Sequence, residues 1–298
     1  MSEDSIILKD ISFSYKKDLV LKNINLHVGR NSIYGLIGPN GAGKTTTIRI
    51  ILGLLKPIQG TISVNGNKDK KLKYANIGAL IETPALYEKL NANDNLKIFT
   101  NYLRIKNSDR IIKETLEIVG LQNSSKKNVG SYSLGMKQRL GIAIALIGEK
   151  DLYILDEPTN GLDPSGIIEI KSLIKRLQED YNKTILLCSH QLDQIEKICS
   201  HIGFIKNGEI IREDSKDNIL IKHGLSKTMF YTGNISDKKD LLVKEGFQIN
   251  TNNLLSKNYI SEENNAQTAR FLMNHDIDIY QMIIDKSTLE NIYSTLYN

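Results

Sequence analysis

Gly38-Pro39-Asn40-Gly41-Ala42-Gly43-Lys44-Thr45-Thr46 satisfies, at every fixed position, the Gly-x-x-x-x-Gly-Lys-Ser/Thr pattern of a loop that cradles phosphate. Its flanks agree with it. Ser32-Ile-Tyr-Gly-Leu-Ile37 reads as a buried strand leading in, and Thr45-Thr-Thr-Ile-Arg-Ile-Ile-Leu52 as a helix leading out. The glycines let the backbone turn tightly, so that successive N–H groups and the helix N-terminus converge on a polyphosphate. In that frame Lys44 meets the β- and γ-phosphates as a point charge, and the Thr45 hydroxyl ligates Mg²⁺.

The chain of 298 residues has room for one large domain with a real core and a smaller appendage. Its 24% charged and 40% hydrophobic residues are ordinary for a soluble globular protein. The net charge of +5 is mild and its cations are scattered, so no nucleic-acid partner is expected. Such a surface also suits the anionic cytoplasmic face of a membrane. No apolar run approaches the ~18 residues of a membrane span; the longest is near Ile142-Ala-Ile-Ala-Leu-Ile147. Met1-Ser-Glu-Asp-Ser lacks the basic and apolar regions of a signal peptide, which places the expected location inside the cell. Cys188 and Cys199 are too few for a disulfide framework and read as buried thiols.

Outward from the loop, Ser5 to Val28 alternates apolar and polar residues around a turn at Lys16-Lys-Asp18 and predicts a β-hairpin. Tyr15 lies just before that turn, an aromatic ring able to stack on a purine. Gly60 to Gly66 predicts an edge strand, Lys68 to Lys73 a charged loop, and Asn76 to Ile81 a strand that delivers Glu82. From Asn93 to Gly120 the period is helical, and Ser133 is a good N-cap for a helix running to about Gly148. A helix start with a capping hydroxyl and free N–H groups is also an anion site.

Leu152-Tyr-Ile-Leu155 is an apolar strand ending in Asp156-Glu157. Two acids at the carboxyl end of a buried strand are costly without a task, and that end is where open α/β sheets bind ligands. Alternation points them apart: Asp156 toward Mg²⁺ and its water shell, Glu157 toward an attacking water. Asp163-Pro164 opens a helix with Pro at its first position, and Thr184 to Cys188 is a strand delivering Ser189-His190 to the same sheet end, within reach of a γ-phosphate. His201 to Ile211 predicts a hairpin. Beyond about Leu225 no motif remains; strands at 228–232 and 277–284, a helix at 262–273 and a Ser287-x-x-Glu290 capping box predict a small α/β appendage.

Tyr15, the Gly38–Thr46 loop, Ser133-Leu-Gly135, Asp156-Glu157, Leu162-Asp163 and His190, in that order, resemble the nucleotide-binding subunit of ABC transporters over about Ser5 to Asp217. The resemblance implies an α/β P-loop core with a mixed sheet, an N-terminal antiparallel β subdomain and a helical insertion at about 93–148. The ATP-binding domain is then 1–224 and the accessory domain 225–298. It further implies ATP and Mg²⁺ as ligands, an ATP-dependent head-to-tail homodimer, and membrane permease subunits as partners at the inner face of the cell membrane. By the same resemblance, Tyr15 stacks the adenine, the loop of one copy and Ser133 and Gly135 of the other sandwich the triphosphate, and Asp163 communicates between copies.

Two positions depart from the family pattern. The signature reads Tyr132-Ser-Leu-Gly-Met136 where Leu-Ser-Gly-Gly-Gln is usual, and Glu82 stands where the family carries Gln. A carboxylate at Glu82 either sits on the Mg²⁺ or suffers repulsion from Asp156 and Glu157. Ile81-Glu-Thr-Pro-Ala-Leu-Tyr87, with the appended tail, looks like the bacitracin-resistance and lantibiotic self-immunity ATPases of Gram-positive bacteria. The expected function is export of a peptide antibiotic. Export of a drug or sodium ion and a soluble regulatory ATPase are the alternatives.

Overall fold

Ile6, Leu8, Ile11 and Phe13 are buried in one strand and Leu21, Ile24, Leu26 and Val28 in the next, while Lys9, Asp10, Asn25 and His27 stay exposed. That alternation makes a half-buried antiparallel pair. In the computed structural model it is β1 (Ile6–Tyr15) against β2 (Asp18–Val28). The chain continues through β3 (Ile33–Ile37), α1 (Lys44–Ile51), β4 (Gln59–Val64), β5 (Ile77–Leu80), α2 (Ala92–Tyr102), α3 (Ser108–Ile118) and α4 (Leu134–Leu146). Then come β6 (Leu152–Asp156), α5 (Pro164–Glu179), β7 (Thr184–Ser189), α6 (Leu192–Glu196), β8 (His201–Lys206), β9 (Glu209–Ser215) and α7 (Lys216–His223).

The structure describes residues 4–66, 74, 76–223, 227–233, 235–285 and 288–297. The charged run at 68–73, the expected domain boundary at 224/225 and Ser287 of the expected capping box lie outside them. The chain divides into two units, Met1–Lys216 and Asp217–Asn298. Among the described residues no helix is long and apolar enough to cross a membrane.

In the first unit a six-stranded sheet runs β5-β6-β7-β3-β8-β9, parallel except for the β8–β9 hairpin, and a three-stranded antiparallel sheet runs β2-β1-β4. Every residue of β3, β6 and β7 is buried, as expected of parallel strands covered on both faces. The helices α2, α3 and α4 fill the stretch where an insertion is expected. Asn91 caps α2 by accepting from the Asp94 N–H, and Ser133 caps α4 by accepting from the Met136 N–H.

Glycine lets α4 approach β5 closely. A Cβ on Gly78 would lie 2.2 Å from the Ala145 carbonyl oxygen and 2.7 Å from the Tyr153 ring, and one on Gly141 2.6 Å from Pro84. Gly78→Ala must therefore part strand from helix. Overpacking against backbone costs about 2–3 kcal/mol, so its melting temperature falls by about 5–10 °C in calorimetry.

After α7, the second unit continues with β10 (Lys227–Thr232), α8 (Lys239–Lys244), β11 (Gln248–Thr251), β12 (Leu254–Asn258), α9 (Glu262–Asn274), β13 (Ile279–Asp285) and α10 (Leu289–Tyr297). Its sheet runs β11-β12-β10-β13, antiparallel throughout. This β-α-β-β-α-β order is the split-βαβ, ferredoxin-like arrangement. Phe230 and Leu255 of the sheet pack with Leu242 of α8 and Leu272 of α9. The sequence reading found β10, α9 and β13 but not α8, β11 or β12. The strands it missed have four and five residues and carry Gln248, Asn250, Ser256 and Lys257, so their apolar period is too short to register.

Candidate nucleotide-binding site

The Gly38–Thr46 loop lies between β3 and α1, clamped on two sides by its neighbours. The Ala42 carbonyl accepts from the Gly208 N–H at 3.1 Å, and a Cβ on Gly43 would lie 2.5 Å from Leu21. Gly41 and Gly43 take φ of 81° and 109°, the left-handed region that favours glycine. Pro39, Asn40 and Gly41 are exposed at the loop's crest, and Thr46 is half-buried. Lys44 is buried, and its Nζ donates to the carbonyls of Gly38 at 2.7 Å and Pro39 at 3.2 Å. A cavity of about 280 Å³ opens over the loop, walled by Val20, Asn40, Gly41, Gly43, Lys44, Thr45, Thr46 and Glu157.

The β6 and β7 strand ends bring the acids and the histidine to this cavity. Asp156 closes β6, 1% exposed, and its Oδ2 accepts from the Thr45 hydroxyl at 2.9 Å. Its Oδ1 is buried and has no hydrogen-bond partner among the described residues. Burial, with Glu157 and Glu82 adding like charge, raises the Asp156 carboxyl above its ordinary value against the Thr45 hydrogen bond and Lys44. A buried carboxylate with a vacant oxygen beside a threonine hydroxyl is the donor set a hard divalent cation such as Mg²⁺ takes, with phosphate and water completing the shell.

Glu157 leaves the strand in a left-handed conformation, φ 49°, its N–H donating to the Cys188 carbonyl at 2.9 Å. Such a backbone is uncommon for a non-glycine residue. It turns the carboxylate away from Asp156 to His190, whose Nδ1 lies 2.9 Å from Oε1, and to Lys44, whose Nζ lies 3.7 Å from the same oxygen. Lys44, Thr45, Asp156, Glu157 and His190 thus form one cluster.

Other residues singled out from the sequence make contacts of their own. Ser133 and Gly135 open α4 beside the start of α5; a Cβ on Gly135 would lie 3.8 Å from Gly166. Asp163 caps α5, accepting from the Gly166 N–H at 3.2 Å and the Ser165 hydroxyl at 2.7 Å, and these bonds hold its carboxyl below its ordinary value. Among the described residues neither Ser133 nor Asp163 has a hydrogen bond to the Lys44 cluster. Tyr15 is 42% exposed at the end of β1, its ring edge-on to Phe13 with centroids 4.8 Å apart.

Glu82 follows β5 with φ 55° and pairs with Arg49 of α1 at 2.9 Å. Arg49, the ion-pair partner of Glu82, is a residue that sequence reading did not single out. Its signal is a lone cation in the apolar run Ile48-Arg-Ile-Ile51 on the helix leaving the phosphate loop.

Fold and cluster together define a P-loop ATPase. The ABC transporter family model matches residues 21–160. The chain is 38% identical over 301 residues to the bacitracin transport ATP-binding protein BcrA of Bacillus licheniformis, covering 98% of this chain and 97% of that one. It is 43% identical over 210 residues to the lantibiotic transport ATP-binding protein SrtF of Streptococcus pyogenes, covering 70% and 90%. It is also similar to an ATP-binding cassette solved as a dimer in a post-hydrolysis state with ADP and phosphate, at TM-score 0.62 and 25% identity over 71% of this chain and 98% of that one. The chain belongs to the ABC transporter family as an ATP-binding, ATP-hydrolysing subunit.

Proposed function

We propose that this subunit energises expulsion of a peptide antibiotic of the bacitracin or lantibiotic kind, attached to separate membrane subunits at the inner face of the cell membrane. The likeness to BcrA over nearly the whole length of both chains, second unit included, carries this reading. The permease docks on the groove near Glu82 to Leu96, around exposed Tyr87. The working form is a head-to-tail dimer. Among the described residues no hydrogen bond joins Ser133 to the Lys44 cluster, which supports a second flank of each triphosphate supplied by another copy.

Within that dimer the loop N–H groups and Lys44 grip phosphate, Tyr15 stacks on the adenine, and Ser133 and Gly135 of the second copy contact the γ-phosphate, with Asp163 beside them. Thr45 and Asp156 hold Mg²⁺, which neutralises phosphate charge. Glu157 aims and deprotonates the attacking water while His190 fixes its carboxylate. Catalysis is positioning and charge neutralisation.

Glu82 is half of an ion pair that bridges the phosphate-loop helix and the groove, so we expect it to tune coupling. Glu82→Gln keeps ATP hydrolysis within about twofold and leaves stability nearly unchanged, since an exposed pair is worth about 0–1 kcal/mol. Its export per ATP changes, read as transport against phosphate release. Loss of hydrolysis at undiminished nucleotide affinity would place Glu82 on the metal instead. The cargo is tested by expressing the chain with its permease in a sensitive Gram-positive host. The expected result is higher tolerance of bacitracin or a lantibiotic; tolerance of drugs or sodium alone would overturn the assignment.

A further inference from the structure

Asn207-Gly208 is the two-residue turn of the β8–β9 hairpin, whose ladder closes on the pair Lys206 and Glu209. Both backbone groups of Gly208 therefore serve other elements. Its N–H donates to the Ala42 carbonyl of the phosphate loop at 3.1 Å, and its carbonyl accepts from the Lys22 N–H of β2 at 2.8 Å. Only glycine fits there: φ is 81°, and a Cβ would lie 2.1 Å from the Val20 carbonyl oxygen and 3.2 Å from the Leu21 Cα. Asn207 is exposed with φ 51°, so it shares the turn geometry without that close approach. The first loop glycine backs onto the same hairpin, since a Cβ on Gly38 would lie 2.3 Å from the Ile205 carbonyl oxygen.

The bond to Ala42 fixes an orientation as well as a distance. The Ala42 carbonyl and the Gly43 N–H belong to one planar trans peptide and point opposite ways. A carbonyl turned to Gly208 thus turns the Gly43 N–H away from the hairpin. Among the described residues that N–H has no hydrogen-bond partner, and Gly43 lines the cavity of about 280 Å³ together with Val20 of β2.

We infer that Gly208 is a positioning residue for nucleotide. Its N–H locks the Ala42–Gly43 peptide with the Gly43 N–H aimed at phosphate, and its carbonyl holds the Val20 wall at a set distance from the loop. A donor aimed in advance needs no reordering when the ligand arrives. Loop N–H groups cradle the α- and β-phosphates, which ATP and ADP share and which hydrolysis leaves in place. Gly208 therefore acts on affinity and not on turnover. This inference rests on the reading of the Gly38–Thr46 loop as the phosphate site.

The test compares full-length Gly208→Ala with Asn207→Ala, the neighbouring substitution that strains the same turn without meeting Val20. Both are expected to melt below the parent, because alanine is strained at positive φ. Only Gly208→Ala is expected to weaken Mg²⁺–ADP in titration calorimetry, and to raise KM for ATP, by about 10- to 100-fold, the worth of a hydrogen bond to a charged group. Its kcat stays within about threefold of the parent's. Equal affinities in the two variants, or a loss confined to kcat, overturns the proposal. Should Gly208→Ala not fold, the parent decides through amide exchange followed by NMR on isotope-labelled glycine. The Gly208 amide is expected to be protected with and without Mg²⁺–ADP, and the Gly43 amide only with it. A Gly208 amide that exchanges as freely as that of Gly41 in the nucleotide-free chain overturns the proposal. A parent that bound no ADP would instead sink the phosphate-site reading, and neither outcome touches the assignment of the cargo.

Discussion

Glu157→Gln is expected to lower ATP turnover about 10²- to 10⁴-fold, the contribution of a positioned general base, while ATP and Mg²⁺ still bind. Glutamine keeps the shape of the side chain, but the amide accepts no proton from water. It also removes a negative charge 3.7 Å from the Lys44 ammonium, so phosphate meets less repulsion at that cation, and affinity holds or tightens. The consequence is a stalled assembly: with ATP and magnesium the variant accumulates as a dimer in gel filtration, while its steady-state phosphate release falls to background. A variant that stayed monomeric and unliganded would sink the sandwich reading. His190→Ala is expected to have the smaller effect, because it frees the carboxylate without removing it.

Asp156→Asn is expected to have opposite effects on stability and on metal use. In the native state burial raises the Asp156 carboxyl, so between the ordinary aspartate value and that raised value the folded chain binds more protons than the unfolded one. Stability from this group therefore falls as pH rises through that window and stays reduced above it. Asparagine has no such slope. At pH 7 to 8, without nucleotide, the variant is expected to melt about 2–4 °C above the parent, the shift that about 1 kcal/mol makes in a unit of this size. The gap should close as pH falls below the window.

With Mg²⁺–ATP the order reverses. The parent gains stability from bound ligand by mass action, EDTA cancels most of that gain, and the variant shows little of it. Apparent Mg²⁺ affinity, read from the metal dependence of ATP-induced melting shifts, is expected to weaken at least about tenfold on loss of a charged oxygen ligand. An unchanged metal dependence would remove Asp156 from the metal site.

The phosphate loop could be read outright, because its chemistry is contiguous: Gly38 to Thr46 contains the turn, the donors, the cation and the hydroxyl in one stretch. The acids at the end of β6 and the histidine after β7 were equally legible, since an apolar run followed abruptly by charge marks a strand end. Arg49 was not. Its pairing depends on β5 ending beside the second turn of α1, and nothing in the run Ile48-Arg-Ile-Ile51 says which strand will lie there. In the second unit the run at 277–284, rich in isoleucine, disclosed β13, whereas β11 and β12 emerge only as partners of their neighbours.

Local order along the chain was enough to determine the kind of chemistry, the class of fold and the order of its motifs, because periodicity and turn residues act within a few positions. Tertiary structure alone decided that the carboxylate of Glu157 lies between His190 and Lys44 and that Glu82 is held by Arg49. Among the described residues it also set β13 at the end of the second unit's sheet. Each of these depends on the sheet orders β5-β6-β7-β3-β8-β9 and β11-β12-β10-β13, in which strands distant in sequence become adjacent through hydrogen bonding and shared burial. That adjacency is a property of the whole packed core, and no window of residues contains it.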